Sequence, residues 1–207
     1  MEINLKIIFL GESRAGKTCL MKRIIYNSFD EKEESTKPTN LSYNTKEYKS
    51  KTGADYFFGI WDTAGEEEFD SISTFYYRGA GCALIVYDIT NRKSFEGISR
   101  FTEKLVLSSP DVFSILIGTK LDLVEDNITA RVVTTEEGRR KANELHAKFL
   151  ETSSKTGQNI AQLWEEVGEA YHSKFGKKPK EINEVDDPNR IKNLKTHPSS
   201  NKKTKCC

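Results

Sequence analysis

Apolar runs of strand length alternate with stretches of helical period along most of the chain. Ile3–Leu10, Tyr56–Trp61, Cys82–Asp88, Val112–Gly118 and a short Phe149–Glu151 read as strands. The runs at Cys82 and Val112 are apolar on consecutive positions, as strands covered on both faces are. Asn40–Lys49, with Gly53 ahead of Tyr56, reads as a polar edge strand turning into the next one. Helical periodicity falls at Lys17–Tyr26, Phe69–Tyr77, Ser94–Leu107, Thr135–Ala147 and Ile160–Phe175. Thr134-Thr135-Glu136-Glu137 offers a hydroxyl followed by early acids, a helix start. This alternation predicts an α/β fold with a mostly parallel sheet and helices on both faces.

The pattern stops near Gly176. Residues 177–205 hold three of the five prolines, no aromatic residue, and only Ile182, Val185, Ile191 and Leu194 as aliphatic side chains. Such a segment buries too little apolar surface to offset its ordering entropy, so residues 1–176 are expected to form the domain and 177–207 a disordered tail. The formal net charge of +1 hides an asymmetry: residues 176–207 carry nine Lys and Arg against four Asp and Glu, and the remainder 23 against 27. A mildly acidic body with a basic tail argues against nucleic acid as partner and suits an anionic membrane surface. No apolar run approaches the ~20 residues of a membrane-spanning helix, and the start lacks the regions of a secretory signal. An intracellular setting is expected, in which the four cysteines are free thiols or modification sites.

The strongest chemical signal is Gly11-Glu12-Ser13-Arg14-Ala15-Gly16-Lys17-Thr18, a complete G-x-x-x-x-G-K-[ST] between a strand and a helix. Its glycines let the backbone wrap an anion, and the helix N-terminus adds positive potential. Lys17 suits β- and γ-phosphates, and the Thr18 hydroxyl suits Mg²⁺. Asp62-Thr63-Ala64-Gly65 closes the third strand, where a carboxylate can hold a metal-bound water and Gly65 can offer an N–H to a terminal phosphate. Taken alone it is also an ordinary strand-to-loop turn. Thr119-Lys120-Leu121-Asp122 and Thr152-Ser153-Ser154-Lys155 follow two further strands. All four motifs therefore lie beyond strand ends, where open α/β sheets bind ligands. Asp122 can accept from the N1–H and exocyclic amine of guanine, a pairing adenine lacks.

In these motifs and their spacing, over about residues 3–175, the chain resembles small GTPases of the Ras superfamily. Tyr76-Tyr77-Arg78-Gly79-Ala80 and the terminal Cys206-Cys207 point to the Rab branch. The resemblance implies a six-stranded sheet with five helices, GTP/GDP switching with Mg²⁺, and a role in membrane traffic. It implies effectors, an exchange factor, a GTPase-activating protein, and a prenyl-binding escort or dissociation inhibitor, with the chain itself a monomer. The implied nucleotide contacts run from Glu12 through Ser13, Arg14, Ala15, Gly16, Lys17 and Thr18 to Cys19. They continue at Phe29, Thr39, Asp62, Gly65, Thr119, Lys120, Asp122, Ser153, Ser154 and Lys155. Thr18, Thr39 and Asp62 would organise the metal, Lys17, Gly65 and Glu66 the chemistry, and Cys206 and Cys207 would carry lipid. Two chains give the stable anchoring that one does not, and the nearby lysines add to it.

Departures from the family pattern qualify that picture. Glu66 stands where the family has its water-orienting glutamine, with Glu67 and Glu68 after it. An ionised glutamate only accepts hydrogen bonds, and at about 5 Å and an effective dielectric near 20 its repulsion from phosphate is roughly 3 kcal/mol. Slow hydrolysis is expected. Thr119 replaces the family's asparagine, shortening the bridge between base and phosphate loop, so weaker nucleotide binding is expected. Arg14 is expected to point to solvent. Counting back from Asp62 selects Thr39 as the metal-binding threonine of the first switch, whereas counting forward from Gly11 selects Thr36. Pro38-Thr39 favours Thr39. Phe29 matches the aromatic against the guanine edge, with plain core packing as the alternative. Cys19 and Cys82 read as small core residues. A hydrolysing switch leads, a GTP-binding module without turnover follows, and a small-molecule kinase comes last because no lid insertion is visible.

Overall fold

A computed structural model describes residues 2–32, 42–62 and 76–175. Six strands form one sheet in the order β2-β3-β1-β4-β5-β6: β1 (Leu5–Leu10), β2 (Ser42–Lys49), β3 (Asp55–Asp62), β4 (Cys82–Asp88), β5 (Phe113–Thr119) and β6 (Lys148–Glu151). β2 pairs antiparallel with β3, and every other neighbouring pair is parallel. The helices are α1 (Lys17–Tyr26), α2 (Arg92–Glu96), α3 (Ile98–Ser108), α4 (Leu121–Asp126), α5 (Thr135–Glu144) and α6 (Ile160–Phe175).

The central strands are buried from end to end, which is why they read as continuous apolar runs rather than alternations. Their pleat divides the core. Leu5, Ile7 and Phe9 of β1 pack with Leu20 of α1 and Leu163, Val167 and Tyr171 of α6. Ile8 and Leu10 turn to the other side with Phe101 and Leu105 of α3, and β4 and β5 extend that side to Ala142 of α5. Lys6 is the polar exception in β1. It is 2% exposed, with its ammonium donating to Arg78 O at 2.8 Å and lying 5.2 Å from the centre of the Trp61 ring.

The expected helix Ser94–Leu107 is divided at Gly97, where a Cβ would lie 2.3 Å from Glu12 Oε1, the end of a side chain that would have to move to admit it. The expected helix Thr135–Ala147 stops at Glu144, and His146 takes φ 51° to reverse the chain into β6. The expected helix Phe69–Tyr77 lies outside the described residues except for Tyr76 and Tyr77, which are helical. The Thr134 start is a full capping box: Thr134 Oγ1 accepts from Glu137 N, and Glu137 Oε2 accepts from Thr134 N at 2.9 Å.

Glu137 is also held by Arg92 Nη1, which donates to Oε1 at 2.8 Å, joining α2 to α5. The guanidinium first, and then the Thr134 cap, hold the Glu137 carboxyl down at about 2, from an ordinary 4.5. A depressed carboxyl contributes stability that is fully present above the unfolded value and disappears as pH falls towards the folded one. Denaturant titrations at several pH values should find wild type more stable than Glu137→Gln above pH 4.5, with the difference shrinking between pH 4.5 and 2. A difference independent of pH would contradict this assignment.

Candidate functional site

The phosphate loop, Asp62 and the two motifs that begin at Thr119 and Thr152 meet beyond the C-terminal ends of β1, β3, β5 and β6. The loop from β1 to α1 opens at Gly11, with φ 142°, where a Cβ would sit 2.1 Å from Val86 O of β4. No residue with a side chain fits there. Gly16 caps α1 at φ 93° without a side-chain cap, and no acidic residue occupies the first turn of the helix. The helix N-terminus thus carries uncompensated positive potential. Lys17 is buried, and its ammonium donates to Gly11 O at 2.7 Å and Glu12 O at 2.9 Å. A loop whose carbonyls are tied back by its own lysine is preshaped to present its N–H groups to an anion.

Across the loop, Thr18 Oγ1 donates to Asp62 Oδ2 at 2.7 Å, with Asp62 only 1% exposed at the end of β3. Two hard oxygen donors brought together beside a phosphate loop fit Mg²⁺, which takes few protein ligands and completes its shell with water and phosphate oxygens. Among the described residues no three His, Cys, Asp or Glu side chains gather as a metal cage. Thr39 and Thr36, Gly65 and Glu66, and Cys206 and Cys207 lie outside the described residues.

At the other end, Asp122 lies in the first turn of the short α4 and accepts from Ser153 Oγ at 2.6 Å through Oδ1, and Leu121 N donates to Thr152 O at 3.1 Å. These contacts fix the Asp122 carboxylate against the loop after β6 and leave Oδ2 for another donor. Lys120 takes φ 66° and pairs with Asp88 Oδ2 at 2.6 Å. Asp88 is buried at the end of β4, where its Oδ1 accepts from Thr90 N and Oγ1. Phe29 follows α1 and is partly buried.

Thr119 differs from expectation in one respect. Its hydroxyl lies 2.6 Å from Ala15 O in the phosphate loop and 3.0 Å from Tyr87 O, at 2% exposure. The shorter side chain therefore still ties β5 to the phosphate loop. A Cβ at Gly16 would come 3.4 Å from this hydroxyl, so threonine already fills the gap between the two loops.

The remaining sequence candidates separate by environment. Arg14 is exposed at φ 64°, as expected. Ser13 is partly buried, and Ala15 is buried at 1% exposure. Cys82 is fully buried in the core, where burial pushes its thiol far up, but Cys19 is only partly buried on α1 and is not a core residue. Two contacts were not anticipated. Glu12 pairs with Arg100 of α3 at 3.1 Å. Arg23 of α1 donates to the Ser154 and Lys155 carbonyls. The periodicity of α1 reveals nothing about a partner 131 residues away.

The family model described as the Ras family matches residues 6–173. The chain is similar to the Ras-related protein Rab-24 of Dictyostelium discoideum, with 31% identity over 207 residues, covering all of this chain and 98% of that protein.

Thr119→Val keeps the shape and removes the hydroxyl, leaving buried carbonyls short of a donor. It should cost about 1–2 kcal/mol in denaturant unfolding, with Thr119→Ser losing less. Equal stability of Thr119→Val and wild type would show that the bridge carries no energy.

Proposed function

Because the chain belongs to the Ras family of small GTPases, in its Rab branch, we propose that it is a membrane-attached guanine-nucleotide switch that binds GTP and GDP with Mg²⁺ and hydrolyses GTP slowly. The observation that carries this reading is the meeting of Thr18 and Asp62, 2.7 Å apart, beside a phosphate loop held by the buried Lys17. Magnesium at these oxygens would neutralise charge on the β- and γ-phosphates. Lys17, released from the loop carbonyls, would take the phosphate oxygens, and the loop N–H groups would stabilise charge on the transferring phosphoryl.

Guanine follows from the base end. Asp122, oriented by Ser153, offers a carboxylate to the N1–H and exocyclic amine. The Ser154 and Lys155 N–H groups, without a hydrogen-bond partner among the described residues, suit a carbonyl such as O6. An adenine amine in their place would leave them unpaired. Lys120, clamped by Asp88, supports the base plane through its aliphatic stem. Thr39 would complete the metal site, and Gly65 would meet the γ-phosphate. Residues 177–207 form the membrane tail in this reading, with lipid on Cys206 and Cys207.

Glu66 favours a second reading, in which the site holds GTP and recruits effectors without useful turnover. Single-turnover hydrolysis with Mg²⁺ separates the two. Glu66→Gln is expected to accelerate the chemical step several-fold, because glutamine can donate to phosphate while holding the water. Tight GTP binding with no turnover in either protein would select the binding module. Failure to bind guanine nucleotide at all would overturn both.

A further inference from the structure

Arg23 stands on α1, six residues beyond Lys17 and therefore about 9 Å further along the helix axis. Its guanidinium meets four acceptors. Nε donates to Ser154 O at 2.6 Å and Nη2 to Lys155 O at 2.8 Å. Nη1 donates to Asn27 O at 2.9 Å and reaches Asn27 Oδ1 at 3.2 Å. Asn27 is the left-handed C-cap of α1, at φ 51°, and returns its own N–H to Arg23 O at 3.1 Å. One planar fork thus closes the helix and grips two consecutive carbonyls of the loop after β6.

What that loop carries makes the grip consequential. Ser153 orients Asp122 through its hydroxyl and accepts from Thr156 N at 3.1 Å. The next two residues present their carbonyls to Arg23, so the peptide planes on either side are fixed along with them. Among the described residues, this loop is also tied to the segment after α1 by the ion pair of Lys155 with Glu31, 3.7 Å long with Glu31 80% exposed, a geometry that holds little. Charge-assisted bonds to two backbone carbonyls are the stronger restraint.

We propose that Arg23 is a positioning residue for purine selection: by splinting the Ser153–Lys155 loop to α1 it holds the groups that distinguish guanine from adenine, and it slows nucleotide release. This rests on the guanine-nucleotide reading above. Arg23 needs no contact with the nucleotide. It ties the loop that reads the base to the helix whose first residues, Lys17 and Thr18, belong to the phosphate end.

The test uses the full chain, a fluorescent GDP, and competition between GDP and ADP. Arg23→Met should release GDP about tenfold faster and lose a similar factor of GDP-over-ADP preference. Arg23→Lys keeps the charge without the fork and should recover only part of both. Arg92→Met, which removes the guanidinium pair to Glu137 at α5, serves as a control that lowers stability and leaves the preference unchanged. A preference in Arg23→Met within about twofold of wild type would overturn the inference even if release is faster, because general loosening affects both bases alike. A wild-type chain that retains neither GDP nor ADP would overturn the nucleotide reading and this inference together.

Discussion

The approach of the phosphate loop to β4 is the constraint on which the site depends. At Gly11 the backbone runs where a single added carbon would fall 2.1 Å from Val86 O, well inside contact distance. That closeness places Ala15 O within reach of Thr119 at the end of β5. It also places Lys17 over the carbonyls of Gly11 and Glu12. The position of α1 follows, and with it the distance from Thr18 to Asp62 at the end of β3. The parallel order β3-β1-β4-β5-β6 is what allows one loop to be referenced to so many strand ends, since parallel strands present all their C-terminal ends on one edge.

How much of this is legible in the sequence depends on how local the cause is. The phosphate loop, the Thr134 capping box and the buried strands are written in contiguous residues, and they are found where the residue pattern places them. The break at Gly97 is not legible in the helical period, which runs straight through it, although glycine is a poor helix former. The early end of α5 at Glu144 is not legible either, since alanine and histidine at the following positions suit a helix by pattern; the reversal at His146 into β6 overrides that preference. Arg23 is the sharpest case. In the sequence it is one more cation on an amphipathic helix, and only the packing of α1 beside the loop after β6 gives its fork two carbonyls.

The two departures from the family pattern are not equivalent in physical terms. Thr119 sits inside the rigid frame, where both of its neighbours, Ala15 O and Tyr87 O, are positioned by strands and by the glycine-bound loop. A shorter side chain keeps the protein half of the bridge because a hydroxyl still reaches. What it gives up is the second functional group of an amide, which could serve the loop and the base together. Any cost of this substitution would therefore fall on ligand contacts and not on the tie between β5 and the phosphate loop.

Glu66, in the proposed reading, would act through its charge and not through its reach. In the proposed reading, bound phosphate oxygens, Asp62 and Glu66 would together concentrate negative charge, against which Lys17 is the cation placed at the loop and Mg²⁺ the ion its neighbours fit. Lys17 also holds the loop carbonyls, so its charge is divided between shaping the loop and neutralising what the loop holds. Thr18 and Asp62 would hold a metal that supplies countercharge to phosphate, leaving the Lys17 ammonium less divided between the loop carbonyls and the ligand. The dependence of this site on Mg²⁺ is for that reason expected to be steeper than in a relative with a neutral residue at the position of Glu66.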